Sequence, residues 1–324
     1  GRPYADPAEL GRRCVAAAAE TGLAITLLPV FYAHSGFGGQ PPGEGQRRFI
    51  CDLDLFARVA EGGRHAASAY ARGNFGIAPH SLRAVTQDEL KALVSAFPEG
   101  PLHIHVSEQV KEVDDCLTAH GCRPIELLTR TVALDPRWCL IHATHADKGE
   151  RAAIAEAGAV VGLCPITEAN LGDGLFHGHD FVAKGGRFGF GTDSNVAIAG
   201  AGELAMLEYA QRFLSQRRNA LAPRGASTGR FLIESTLAGG AQALGLGTAG
   251  IQVGAPADLV VLDAGHIAFA GRSGDALLDS WIFGPSAGAI REVHVSGRRV
   301  VEQGRHIARD TIEARARKVL ARII

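Results

Sequence analysis

The order of apolar and amphipathic segments limits this 324-residue chain more than any single motif does. Apolar runs at 24–32, 74–79, 102–106, 138–143, 159–165 and 187–192 alternate with stretches of helical period. The helical stretches lie at 6–22, 86–97, 124–132, 147–158, 202–218 and 228–245. Asp6, Pro7 and Glu9 read as the cap, first residue and capping-box partner of the opening helix, and Gly22 as its stop. Strands alternating with helices imply a parallel sheet buried on both faces. No strand leads into a Gly-x-Gly-x-x-Gly turn, so a dinucleotide fold has no support. Polar residues gather instead at strand C-terminal ends: His80, His105, His142, Cys164 and Asp193. That is where (β/α)8 barrels place their chemistry. The α/β pattern therefore predicts a TIM-like barrel from which about the first two strands are missing.

Residues 1–249 read as this barrel, 250–307 as the carboxy-terminal part of a small β-sandwich, and 308–324 as a terminal helix. The Gly- and Pro-rich loop 34–48 reads as either a working lid or a disordered segment. Net charge of −1 offers no attraction for nucleic acid or an anionic membrane. No apolar run reaches the ~20 residues of a membrane span, and no signal-peptide pattern appears. Six scattered cysteines without a CxxC pair predict reduced thiols and a cytoplasmic setting. The single methionine is Met206, so Gly1 is not a translation start.

Within PLHIHVSEQ (101–109), His103 and His105 are two apart on a strand and share a face. Glu108 follows just beyond the strand end. Singly, His105 and His142 could be buried core imidazoles, Asp193 a turn aspartate, Glu108 a first-turn glutamate, and Arg83 a solvated arginine. Jointly they supply what a hydrolytic metal site needs. His105 serves as ligand, Glu108 as proton shuttle, His142 as electrostatic partner, and Asp193 as ligand and base.

The series H-V-S-E at 105–108, L-I-H at 140–142, C-P-I-T-E-A-N-L-G-D-G at 164–174, G-T-D-S at 191–194 and V-G-A-P-A-D-L-V-V-L-D at 253–263 resembles the amidohydrolase superfamily, in its deaminating branch. The likeness extends over essentially the whole chain. Within that branch, L-P-V-F-Y-A-H-S-G-F-G-G-Q-P at 28–41 and the extended 164–176 segment resemble formimidoylglutamate deiminases of histidine degradation. The resemblance implies zinc-dependent deimination of N-formimidoyl-L-glutamate to N-formyl-L-glutamate and ammonia. It also implies one divalent metal, most readily Zn2+, two of whose ligands lie upstream of Gly1, and a homodimer. His105 is then the fifth-strand ligand and His103 lies one layer deeper. The chain alone is expected to bind zinc weakly and to be inactive.

A dicarboxylate substrate calls for an arginine clamp, and His80 and Arg83 in A-P-H-S-L-R are the local candidates. Arg47 and Arg48 are weaker ones, and Glu168 and Asn170 could shape the pocket. The alternatives are a deaminase for guanine, another purine or a pterin, and an inactive or binding protein of barrel fold.

Overall fold

The computed structural model of the chain describes residues 4–193 and 197–323. Helix α1 (Glu9–Thr21) leads into β1 (Ile25–Leu27) and β2 (Val30–Phe31), followed by α2 (Leu53–Ser68), β3 (Gly73–Phe75), β4 (Ala78–Pro79) and α3 (Gln87–Ala96). Then come β5 (Leu102–Val106), α4 (Val110–His120), α5 (Pro124–Thr131), β6 (Trp138–His142), α6 (Lys148–Glu156) and β7 (Val160–Leu163). Helices α7 (Pro165–Leu171) and α8 (Gly178–Ala183), strand β8 (Arg187–Phe190), and helices α9 (Gly200–Ser215) and α10 (Thr228–Ala243) complete this part.

All strand pairs here are parallel. β5, β6, β7 and β8 form one ladder, while β1 pairs with β3 and β2 with β4. Bridges from Ile77 to Leu102 and from Ser81 to His105 join the two parts, so six strand positions follow one another in chain order. The apolar run 24–32 is two strands rather than one. Pro29 interrupts it because it has no N–H to give the ladder, although its carbonyl still accepts from Ala78 N at 2.9 Å. The next run breaks at Gly76, where a Cβ would stand 2.2 Å from the Pro101 carbonyl oxygen.

Helix α1 starts at Glu9 instead of at a box closed by Glu9. Asp6 accepts from Ala8 N at 2.9 Å, and the Glu9 carboxylate pairs with Arg13. Gly22 does end the helix, with φ 78°. Helix α2 was not among the expected helices. Asp52 caps it through Leu55 N, and Gly62 and Gly63 lie in its interior. Those glycines let α2 press onto its neighbours: a Cβ at 62 would come within 2.5 Å of the Ala8 methyl, and one at 63 within 3.2 Å of Leu27.

The main core fills the space between sheet and helices with Trp138, Phe31, Phe56, Ile104, Leu128, Leu140, Phe181 and their neighbours. Each such side chain contributes about 1.5–3 kcal/mol on full burial. On the opposite face of the ladder, His103, His105, Cys139, Ile141, Gly162 and Gly189 share one side by register. The C-terminal part of α10 lies there, and His103 Nε2 donates to the Ala243 carbonyl at 2.7 Å. His103 thus serves as packing.

Beyond α10, strands β9 (Leu259–Leu262), β10 (Ile290–Val295), β11 (Arg298–Glu302) and β12 (Arg305–His306) form an antiparallel sheet, with α11 (Ala276–Phe283) between the first two. Ser296 and Gly297, both at positive φ, make the tight turn expected of this pair. Helix α12 (Arg309–Ile323) buries none of its side chains, and Arg315 pairs with Glu20 of α1. All six cysteines are free. Among the described residues no helix is long and apolar enough to cross a membrane.

Candidate active site

Three of the parallel strands end on residues in left-handed backbone. Ser107 follows β5 at φ 52°, His142 ends β6 at φ 67° with Ala143 at 47°, and Asp193 follows β8 at φ 45°. None is glycine, and holding such residues there costs on the order of 1–2 kcal/mol each. The purpose shows at His142. Strand alternation would turn it away from His105, because it pairs with Val106 on the other face. The twisted backbone breaks that alternation, and the two imidazoles stack with centroids 5.8 Å apart.

His105 gives its Nδ1 proton to the His80 carbonyl at 2.8 Å. A carbonyl only accepts, so Nε2 of the neutral ring presents a lone pair. Burial, opposed by that hydrogen bond, holds the His105 pKa below the usual range. The neutral, lone-pair-bearing form is therefore the resting one. His80 lies beside it with ring centroids 4.9 Å apart and planes tilted by 45°, and burial, then His105 and Arg83, push the His80 pKa down to about 4.

His142 is buried and ringed by carboxylates. Its Nδ1 lies 3.2 Å from Glu168, and its Nε2 lies 3.7 Å from Glu108 and 3.9 Å from Asp193. Burial works to lower its pKa, yet the Glu168 hydrogen bond and the three negative charges together raise it. Ligand atoms of His142, Cys164 and Glu168 also lie within 4.8 Å of one another. Hydrogen bonds already engage His142 and Glu168, and burial followed by the charge of Glu168 lifts the Cys164 thiol well above its usual range.

Glu108 is held by its backbone. Its N–H and that of Ser107 donate to separate oxygens of Glu112, each at 3.0 Å. The Arg83 guanidinium reaches Glu108 at 3.8 Å and Glu112 at 3.9 Å, while its buried Nε has no partner among the described residues. Tyr32 packs edge-on against His80 with centroids 4.6 Å apart and accepts a hydrogen bond from Gln46 at 2.6 Å.

The loop 34–48 is anchored. His34 pairs with Glu89 at 2.9 Å, Phe37 is buried against His120, and Ser35 donates to the Pro41 carbonyl at 2.8 Å. Arg47 and Arg48 are exposed, and the Arg48 guanidinium lies over the Phe49 ring. Asn170 is exposed on α7. Ser194, the last letter of G-T-D-S, lies outside the described residues.

The structure thus brings His80, Arg83, His105, Glu108, His142 and Asp193 to one end of the sheet. Glu112 and Tyr32 were not singled out from the sequence. Glu112 is one helical turn after Glu108, the spacing of a residue that caps the preceding backbone, and this was its only signal. The donors suit a metal such as zinc: a neutral imidazole with its second nitrogen fixed by a carbonyl, and the Asp193 carboxylate. The carboxylates around His142 outnumber the cations near them, as a site adapted to an added positive charge requires.

The Amidohydrolase family profile matches residues 6–300. Formimidoylglutamate deiminase of Pseudomonas aeruginosa is 50% identical over 309 residues, covering 94% of this chain and 68% of that protein. A 5-methylthioadenosine/S-adenosylhomocysteine deaminase of Halobacterium salinarum is 30% identical over 71% of this chain, which spans 53% of that enzyme. The crystal structure of an amidohydrolase from Brucella melitensis superposes with a TM-score of 0.95 at 49% identity, over 99% of this chain and 71% of that one. A zinc-bound adenosine deaminase from Xanthomonas campestris has the same fold, with a TM-score of 0.83 at 21% identity over 97% of this chain and 69% of that one.

Proposed function

Because the chain belongs to the amidohydrolase family, we propose that it carries most of the active site of a zinc-dependent deiminase acting on N-formimidoyl-L-glutamate. The reaction adds water to the formimidoyl carbon and releases ammonia and N-formyl-L-glutamate. The observation that carries this reading is the meeting of His105, Glu108, His142 and Asp193 beside an arginine whose buried Nε is unpartnered. The identity to the Pseudomonas deiminase supports the substrate.

His105 and Asp193 are the residues that would hold the metal, which supplies Lewis-acid assistance to the loss of a proton from water near neutral pH. Asp193 orients the attacking water and takes its proton. Glu108, fixed by Glu112 through the backbone, delivers a proton to the imino nitrogen so that ammonia can leave. His142 donates from Nε2 to the oxygen that acquires negative charge at the tetrahedral centre. Arg83 and His80 receive the substrate carboxylates, Arg83 through its guanidinium group. Glu168 and Asn170 border the pocket from α7. A catalytic zinc ordinarily has three protein ligands. With two from this set, residues 1–324 alone would hold zinc weakly and turn over little.

The test is ammonia release from N-formimidoyl-L-glutamate with zinc, run on the 324-residue chain and on the complete reading frame of its gene. Guanine and 5-methylthioadenosine serve as parallel substrates. Release from the first and from neither purine is expected. Release from a purine alone would move the substrate within the deaminating branch. Zinc at one per chain and full activity from residues 1–324 would overturn the two-ligand reading. The homodimer is checked by sedimentation in the same preparations.

A further inference from the structure

We infer that Glu168 is a positioning residue for His142: its carboxylate keeps a proton on Nδ1, so that only Nε2 exchanges protons with the reacting groups. This rests on the reaction proposed above. His142 Nδ1 faces Glu168 Oε1 at 3.2 Å, and Nε2 faces Glu108 and Asp193 at 3.7 and 3.9 Å. The two nitrogens are therefore divided between the buried Glu168 carboxylate on one side and the Glu108 and Asp193 carboxylates on the other.

Glu168 is itself held in place. The same Oε1 accepts from Cys164 N at 2.8 Å, and the residue is buried in the first turn of α7. That turn begins with Pro165 and is anchored from α9, where the fully buried Glu203 accepts from Ile166 N at 3.0 Å. The imidazole thus leans on a carboxylate whose backbone is fixed from two sides, so a tautomer exchange would have to break a hydrogen bond shared with the main chain.

The shared oxygen makes the inference testable. In Glu168→Gln the amide must keep its oxygen toward Cys164 N–H, because the flipped amide would face donor to donor. That oxygen still accepts from His142 Nδ1. In Glu168→Ala the acceptor is gone. Nitrogen-15 spectra of histidine-labelled, zinc-loaded protein made from the complete reading frame, with His142 assigned by its loss in His142→Gln, report which nitrogen is protonated. At a pH high enough to leave the His142 ring neutral, after the Nε2 proton has gone, Nδ1 carries the remaining proton in wild type and Glu168→Gln. In Glu168→Ala the Nε2–H form becomes populated, kcat falls about a hundredfold, and KM moves less than twofold. Glu168→Gln keeps kcat within about tenfold of wild type.

Unchanged Nδ1 protonation in Glu168→Ala overturns the inference. So does a Glu168→Gln enzyme as slow as Glu168→Ala with Nδ1 still protonated, since charge and not the acceptor would then matter. If even wild type ignores N-formimidoyl-L-glutamate, the substrate reading fails while the spectra still decide the role of Glu168.

Discussion

Glu112 and Glu108, four residues apart, are joined through the main chain: one oxygen of the Glu112 carboxylate accepts the Glu108 N–H, and the other accepts that of Ser107. A carboxylate can satisfy two N–H donors with two equivalent oxygens, whereas an amide has only one acceptor end. Glu112→Gln sets an NH2 group against one of the donors, in a place that is 1% exposed. The expected cost is about 1–3 kcal/mol of stability, read by urea unfolding, together with lower deiminase turnover because Glu108 is released. A variant as stable and active as wild type would show that the turn holds Glu108 without help.

Gly239 and Gly240 are neighbours in α10 with opposite surroundings. A methyl group at 239 would lie 2.0 Å from the Phe188 carbonyl oxygen, while nothing stands within 4 Å of one at 240. Gly239→Ala should destabilise by about 1–3 kcal/mol or more through overpacking. Gly240→Ala should stabilise by about 0.5–1 kcal/mol through helix propensity. Thermal unfolding of the pair decides it, and equal shifts would mean that α10 does not sit against β8 as described.

His80 should make the metal-free chain acid-sensitive. Burial, with His105 and Arg83 beside it, lowers its pKa to about 4, against about 6.5 in an unfolded chain. Between those values the unfolded state binds the extra proton, so folding stability falls as the pH drops from 6.5 toward 4. The contribution is on the order of 2 kcal/mol after allowance for the water that still reaches the ring. Urea titrations across that window should show a shallower pH slope in His80→Gln than in wild type. Parallel slopes would remove His80 from the account.

Arg83→Lys keeps the charge and loses the flat fork of donors. If Arg83 clamps a substrate carboxylate, KM for N-formimidoyl-L-glutamate should rise by about ten- to a hundredfold, equivalent to about 1.4–2.8 kcal/mol, with kcat much less affected. A fall in kcat at constant KM would place Arg83 with Glu108, 3.8 Å away, instead of with the substrate.

The alternation of strands and helices was legible because burial on both faces imposes it on the composition of each segment. Helix α2 was not, since Gly62 and Gly63 weaken its helical signal and answer instead to contacts with Ala8 and Leu27, residues far off in sequence. The breaks at Pro29 and Gly76 depend in the same way on how the strands meet their neighbours. His105, Glu108, His142 and Asp193 could be picked out because their residue types carry the chemistry. Their supports could not. Glu112, Tyr32 and the contact between Glu168 and His142 come from geometry that spacing alone does not encode. The left-handed backbone at Ser107, His142 and Asp193 leaves no glycine to mark it.

Ser107 is fully buried in that left-handed turn, and its hydroxyl has no partner among the described residues. Glycine would relieve both burdens at once. A library screened for heat resistance alone would therefore tend to enrich glycine at position 107. The survivors would be hardier proteins whose Glu108 swings more freely, and selection for turnover would pull the same position back toward serine.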